Sequence, residues 1–285
     1  MVSTISFIQA NLQHNIAASR IFTRTISGKG IDMSLIQEPW YHDNCIRGLN
    51  IPGYTLYPTG GKDRPRACIL ARNVDIWVLP GLCCRDLVAV LVKYMEAGAE
   101  RRLVVCSAYL PYDSRNPPPS KELEELVRYC ENKNLYLIVG CDFNEHHTAW
   151  GSTNCNGRGE ALMGFLNYSN LESLTQGNEH TLCSGGRQEV IDINLGFHGL
   201  LDSITGWEVS LEPSLSDHRH ILYMLRGINW VSYREDLKRR LERGTEMSME
   251  NEAGLGLAVH GVQQALISAY EDSCPVRPLG KAKIL

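Results

Sequence analysis

The sequence predicts an α/β (α+β) protein built on two packed β-sheets with helices outside them. Three observations predict it. Short apolar, β-branched runs outnumber helix-like stretches over most of the chain; helical periodicity appears between only some of those runs; and several of the runs end on a carboxylate or an amide. Many strands with few intervening helices suit sheets that pack face to face and carry helices on their outer faces.

The elements follow in order. Residues 5–9 read as a strand and 15–26 as an amphipathic helix. Residues 33–37 form a buried strand stopped by Pro39. Residues 67–71, 87–92 and 103–109 read as successive strands of one sheet. A helix at 122–130 precedes a fully apolar strand at 135–139 that ends at Gly140, and 159–166 is helical again. Strands at 171–174, 181–183, 190–195, 203–209 and 221–225 complete a second strand-rich half. After Gly227 the composition changes. Trp230, Tyr233, Leu237 and Leu241 fall at helical spacing, as do Val259, Val262, Leu266 and Ala269. Residues 244–254 read as a flexible link, and Pro275 and Pro278 end the segment. We expect a catalytic domain over 1–227 and a helical segment over 228–285, leading toward a further domain that this chain lacks.

Composition narrows the function. The chain has 285 residues, 44% apolar and 21% charged, which excludes a mostly disordered chain. No apolar run approaches the ~20 residues of a membrane span, and residues 1–5 lack the basic and apolar regions of a secretory leader, so neither membrane nor export is expected. The ten cysteines are irregularly spaced with no C-x-x-C, which predicts buried free thiols in a reducing compartment. A net charge of −4 argues against a broad basic face for nucleic acid.

The chemistry sits at strand ends. Asn11 follows Ile8-Gln9-Ala10, Glu38 follows Leu35-Ile36-Gln37, and Asp142 and Asn144 follow Ile138-Val139-Gly140-Cys141. Asp192 lies inside Val190-Ile191-Asp192-Ile193, where an unpaired carboxylate is costly, and Asp217-His218 lead into the last strand. Each alone has a plain structural reading, such as a turn cap or an Asx-turn. Together they bring carboxylates, amides and one imidazole to the strand ends of one domain. His146-His147 does not predict a zinc site, because adjacent side chains of an extended chain point to opposite sides and no H-E-x-x-H is present. Few hard oxygen ligands suit Mg²⁺, which leaves coordination positions open for phosphate oxygens. The predicted chemistry is metal-assisted hydrolysis of a phosphodiester or phosphomonoester.

The ordered set Gln9-Ala10-Asn11, Gln37-Glu38-Pro39, Ala108-Tyr109-Leu110-Pro111, Gly140-Cys141-Asp142-Phe143-Asn144, Ile191-Asp192-Ile193 and Ser216-Asp217-His218 resembles the endonuclease/exonuclease/phosphatase superfamily over residues 4–226. The stretch from Asn144 to Ser152, the stretch from Gly185 to Asp192, and the tail from Trp230 to Pro275 are similar to the apurinic-endonuclease-like domain of insect-type non-LTR retrotransposons. The resemblance implies a four-layer sandwich of two mixed, mostly antiparallel sheets between helices. It implies a monomeric domain that nicks double-stranded DNA in the nucleus and leaves a 3′-hydroxyl for reverse transcription, with a reverse transcriptase downstream. It implies Mg²⁺, with Mn²⁺ as substitute, held by Glu38 and Asp217 and shaped by Asn11. Tyr109 would contact the scissile phosphate, Asp142 beside Asn144 would activate water, and Asp192 would hold His218 against the developing charge. The family often places Asn shortly after Tyr-x-Pro; here Tyr112 and Asp113 follow Pro111, so Tyr112 stands where a phosphate-contacting amide is usual.

The DNA face is expected at Lys62, Arg64, Arg66 and Arg72, a locally basic stretch, and at Arg187 and Gln188 of a β-hairpin turning on Gly185-Gly186. Two other functions compete. A phosphomonoesterase of the same superfamily, acting on phosphoinositides or nucleotides, would share the metal site. An inactive binding module has no need of clustered carboxylates.

Overall fold

A computed structural model gives the fold; it describes residues 4–59, 63–96, 99–227, 230–244 and 252–273. In chain order the elements are β1 (Thr4–Asn11), α1 (Ile16–Lys29), β2 (Met33–Gln37), β3 (Tyr41–His42), β4 (Cys45–Ile46), β5 (Thr55–Pro58), β6 (Ala67–Ala71), β7 (Ile76–Val78), β8 (Leu87–Glu96) and β9 (Ala99–Tyr109). There follow α2 (Lys121–Lys133), β10 (Tyr136–Asp142), α3 (Gly157–Tyr168), β11 (Leu171–Ser173), β12 (Leu182–Ser184), β13 (Arg187–Glu189), β14 (Asp192–Phe197), β15 (Ile204–Val209), β16 (Ile221–Arg226), α4 (Trp230–Gly244) and α5 (Glu252–Ser273).

Two six-stranded mixed sheets carry the domain. One has the order β15-β16-β1-β2-β6-β5, the other β11-β14-β10-β9-β8-β7. Their inner faces share one apolar core, in which Phe7, Leu35 and Ile69 of the first sheet meet Val90, Val105 and Ile138 of the second. Outside the first sheet lies α1. Asn15 caps it by accepting from Ala17 N, Gly30 ends it in a left-handed conformation, and Phe22 and Ile26 pack onto Ile8 and Ile36. Outside the second sheet lie α2 and α3, whose Leu123, Leu126 and Leu162 pack with Val104, Leu137 and Val139. The result is four layers, helix, sheet, sheet, helix.

The structure divides one predicted sheet between two. Residues 67–71 pair with β2 in the first sheet, whereas 87–96 and 99–109 belong to the second. The chain crosses from one sheet to the other between Ala71 and Ile76, because β7 pairs with β8. A run of apolar strands in sequence says which residues are buried and nothing about which sheet buries them. The strand predicted to stop at Gly140 runs on to Asp142, so Asp142 belongs to the sheet itself.

The two sheets come very near one another under the strand ends. At Gly140 an added Cβ would lie 2.6 Å from Leu35 Cδ1 and 2.9 Å from Gln9 Oε1, so only glycine permits this approach. Polar bridges cross the same gap. Gln37 Nε2 donates to Ser107 Oγ at 3.0 Å and to the Gly140 carbonyl at 3.1 Å, and Asn194 Nδ2 donates to Gln9 Oε1 at 2.7 Å.

Helices α4 and α5 pack on each other, and Arg240 of α4 donates to Asp236 (2.6 Å) and to Asp272 of α5 (2.5 Å). Among the described residues, none from either helix belongs to the three apolar clusters of the sandwich. Gly244 closes α4 and residues 252–254 open α5, so the predicted link shrinks to 245–251, which lies outside the described residues with Pro275 and Pro278. Among the described residues no helix is long and apolar enough to cross a membrane.

Candidate active site

Topology gathers the polar strand ends. β1 and β2 run parallel, with Asn11 opposite Gln37; β9 and β10 run parallel, with Tyr109 opposite Asp142; β14 runs antiparallel to β10 and begins with Asp192 opposite Asp142. One edge of the sandwich therefore carries Asn11, Glu38, Tyr109, Asp142 and Asp192. His218, just before β16, arrives from the antiparallel strand beside β1.

Two contacts organise this edge. Asn11 Nδ2 donates to Asp142 Oδ2 at 2.7 Å, from one sheet to the other. His218 Nδ1 lies 2.8 Å from Asp192 Oδ2, with both side chains buried. Ligating atoms of Asp142, Asp192 and His218 all fall within 4.8 Å of one another. Asn144 N donates to the second oxygen of Asp142 (3.1 Å), while its side chain donates to the Leu110 carbonyl (3.1 Å). Glu38 and Asn144 both adopt positive φ (46° and 55°), an uncommon conformation that collects at functional sites.

Like charges directly opposite on a sheet destabilise it, and the protonation states record this. Burial, with the charge of Asp192 added, pushes the Asp142 carboxyl up to about 7 despite His218 and Asn11. Burial by itself lowers the pKa of His218, but the charge of Asp192, their hydrogen bond, Asp142 and Glu38 outweigh it and raise it to about 9. Burial also opposes ionisation of Glu38, yet the hydrogen bond and charge of His14, with hydrogen bonds from Asn11 and Tyr109, hold it below the usual glutamate range. Burial first, then the charges of Glu38 and Asp142, raise Tyr109, which stays a protonated donor. Three carboxylates thus face one imidazolium, and Asp192 Oδ1 is buried without a partner. An anionic pocket of hard oxygen donors fits a divalent cation.

Some predicted residues stand elsewhere. Asp217 accepts from Gln13 Nε2 (3.1 Å), and hydrogen bonds from Ser184 and Gln13 lower its pKa; its contacts tie it to these side chains at the rim. Arg66 forms a fork with Asp86 (2.5 and 2.6 Å) and lies 4.7 Å over the Tyr109 ring, so it braces the site. Arg72 follows β6 at its far end, across a five-residue strand from Arg66, and donates to the Ile31 carbonyl at 3.0 Å. The basic stretch is therefore split. Arg64 remains exposed beside Tyr41, Tyr112 is exposed, and Lys62 lies outside the described residues. Arg187 and Gln188 are exposed on a hairpin whose Gly185 and Gly186 take φ of 55° and 85°.

Three contributors have no sequence signal. His14 Nε2 lies 3.5 Å from Glu38 Oε1 while its Nδ1 donates to the Pro39 carbonyl (3.0 Å). Gln13 also accepts from Asp217 N at 2.8 Å. Thr181 is fully buried; its Oγ1 accepts from the N–H groups of Ile191 and Asp192, both at 3.1 Å, and its carbonyl accepts from Arg219 N at 2.7 Å. With Leu182 bridged to His218, and Cys183 N donating to the Asp217 carbonyl (2.7 Å), the hairpin is joined directly to the Asp192–His218 pair.

With this geometry in view, the comparisons with known proteins are specific. Residues 103–222 match the family described as endonuclease-reverse transcriptase. That match spans less than half of the chain, and the fold of the whole sandwich is the one that the endonuclease/exonuclease/phosphatase structures share. The chain is similar to the endonuclease domain of TRAS1, a telomere-specific non-LTR retrotransposon, at 25% identity and TM-score 0.64, over 79% of this chain and 99% of that one. The AP endonuclease LMAP from Leishmania major shares the fold at 12% identity and TM-score 0.64, over 79% and 88% of the two chains. So does the Xenopus laevis APE2 catalytic domain, at 15% and 0.60, over 78% and 92%. No curated protein sequence matches the chain. The four layers of this chain and the placing of its carboxylate edge are those of the apurinic-endonuclease-like sandwich to which it is similar.

Proposed function

We propose that this domain is a divalent-metal-dependent DNA endonuclease that nicks duplex target DNA and leaves a 3′-hydroxyl from which reverse transcription is primed. One observation carries the reading: the Asn11–Asp142 and Asp192–His218 pairs converge at one sheet edge beside Glu38, in a fold similar to the TRAS1 endonuclease domain. On this reading residues 228–285 lead toward a downstream reverse transcriptase, and the domain acts as a monomer in the nucleus.

Glu38, with Asn11 beside it, would hold Mg²⁺, or Mn²⁺ in its place, with Asp217 adding negative charge at the rim. A bound divalent cation supplies polarisation of a phosphate oxygen and charge at the leaving group. The side chains supply the rest. Asp142, fixed through both oxygens by Asn11 and Asn144, accepts a proton from the attacking water, and a pKa near neutrality suits that task. His218 is held by Asp192 through Nδ1, so its Nε2–H points its charge at the phosphate as negative charge grows there. Tyr109 donates from its hydroxyl toward the same phosphate. Arg64, Tyr112, Arg187 and Gln188 meet the flanking backbone and groove. Measuring turnover of supercoiled plasmid against an inositol phosphate tests the substrate class. Nicking with negligible phosphate release supports the endonuclease; phosphate release without nicking would assign a phosphomonoesterase instead.

A further inference from the structure

We propose that His147, Cys155 and Glu160 form a second cation site, separate from the carboxylate edge, that takes zinc or another thiophilic divalent ion. The pair His146-His147 fails as a metal site because the two rings diverge: His146 Nδ1 lies 3.5 Å from Glu189, while His147 Nε2 lies 3.7 Å from Glu160 Oε1. The chain brings His147 a different companion. After the short 3-10 turn at Thr148–Trp150 it doubles back, and Asn156 caps α3, which sets Cys155 just before the helix and Glu160 in its first turn. One ligating atom from each of His147, Cys155 and Glu160 falls within 4.8 Å of the other two.

The donor set is selective. One sulfur, one imidazole nitrogen and one carboxylate oxygen suit zinc, which accepts all three and keeps a fourth position for water, and do not suit Mg²⁺. Tetrahedral zinc needs donors roughly 3.5 Å apart; His147 Nε2 and Glu160 Oε1 already stand at 3.7 Å, so little side-chain movement is required. Cys155 and Glu160 are exposed and free of core packing, so rotation about their side chains is enough. The Cys155 sulfur is already polarised, since Thr148 N points at it from 3.4 Å and Thr148 Oγ1 lies 3.5 Å away. Nδ1 of His147 accepts from Ala149 N at 3.0 Å, so ligation through Nε2 exchanges that single contact for a metal bond. The expectation of buried thiols holds for Cys68, Cys106, Cys130 and Cys141; Cys45, Cys83, Cys84 and Cys183 are half-buried, and among the described residues Cys155 alone is exposed.

The site would act as a staple. The loop it closes buttresses the hairpin: Ser152 Oγ donates to the Val190 carbonyl at 2.6 Å, and Thr153 N donates to Glu189 Oε2 at 2.9 Å. Glu189 ends β13, so a cation fixing residues 147–160 fixes the base of the element that carries Arg187 and Gln188. The test is Co²⁺ titration of the full chain, read by the thiolate-to-cobalt charge-transfer band, with Zn²⁺ as competitor. The band should appear at one equivalent, vanish on Zn²⁺ addition and in Cys155→Ser, and persist in Glu38→Ala. His147→Ala and Glu160→Gln should each weaken Co²⁺ binding by more than about tenfold. Absence of a band in the wild-type chain, or an undiminished band in Cys155→Ser with unchanged circular dichroism, would overturn the site.

Discussion

At the residue scale the site turns on how the buried Asp142 and Asp192 and the half-buried Glu38 tolerate one another. Asp142 and Asp192 face each other across a strand pair, and His218 and Asn11 keep the arrangement folded. If Asp192 acts through His218, as the proposed function has it, Asp192→Asn and His218→Ala should be strongly non-additive in nicking rate, the double variant losing little beyond the worse single one. Fully additive losses would separate the two residues. The same pair has a pH signature. The folded pKa of His218, about 9, lies above its ordinary 6.5, so the stabilisation is complete below pH 6.5 and is lost as pH rises through 9. In chelator, the stability gap between wild type and Asp192→Asn, read from urea midpoints, should narrow from pH 6.5 to above 9. A gap that widens over that range would contradict a raised His218. Much of this site is legible in the sequence, because a carboxylate in or after an apolar run is conspicuous. Gln13, His14 and Thr181 are not, since a turn residue or a buried threonine carries no periodicity. Arg66 reads as a free cation because its partner Asp86 is distant in sequence.

At the element scale the hairpin β12–β13 is both a projection and a lever. Its exposed end carries Arg187 and Gln188, and its first strand is bonded to the segment holding His218. On the proposed function, narrow A·T-rich minor grooves, which attract arginine through shape, would give the exposed end a means of reading sequence. Arg187→Ala with Gln188→Ala should broaden the nick map on a target duplex while total plasmid nicking stays within about tenfold, a barrier change of ~1.4 kcal/mol. An unchanged map would show that this end does not read the target. Most individual strands are visible in the sequence as apolar runs. Their distribution between sheets is not, because β6 and β8 look alike to a hydrophobicity pattern and only pairing separates them. The short β5 and β7 escape notice for the opposite reason, being exposed or half-buried edge strands with little apolar signal.

At the scale of the whole molecule, none of the described residues of α4 and α5 belongs to the apolar clusters of the sandwich. A chain ending at Gly227 should fold and nick at near the full-length rate, checked by thermal unfolding and plasmid relaxation. An insoluble truncation would show that the helices complete the domain. The acidic net charge is compatible with the proposed function, in which three of the carboxylates would meet a cation and the DNA contacts would be few and local. The most direct measurement of the central claim is nicking of supercoiled plasmid by the full chain with Mg²⁺, with EDTA, and by Asp142→Asn. Open-circle product whose ends a polymerase extends, abolished by EDTA and reduced ~10²–10⁴-fold in Asp142→Asn, is the predicted result. Nicking that survives EDTA, or proceeds at the wild-type rate without the Asp142 carboxylate, would contradict it.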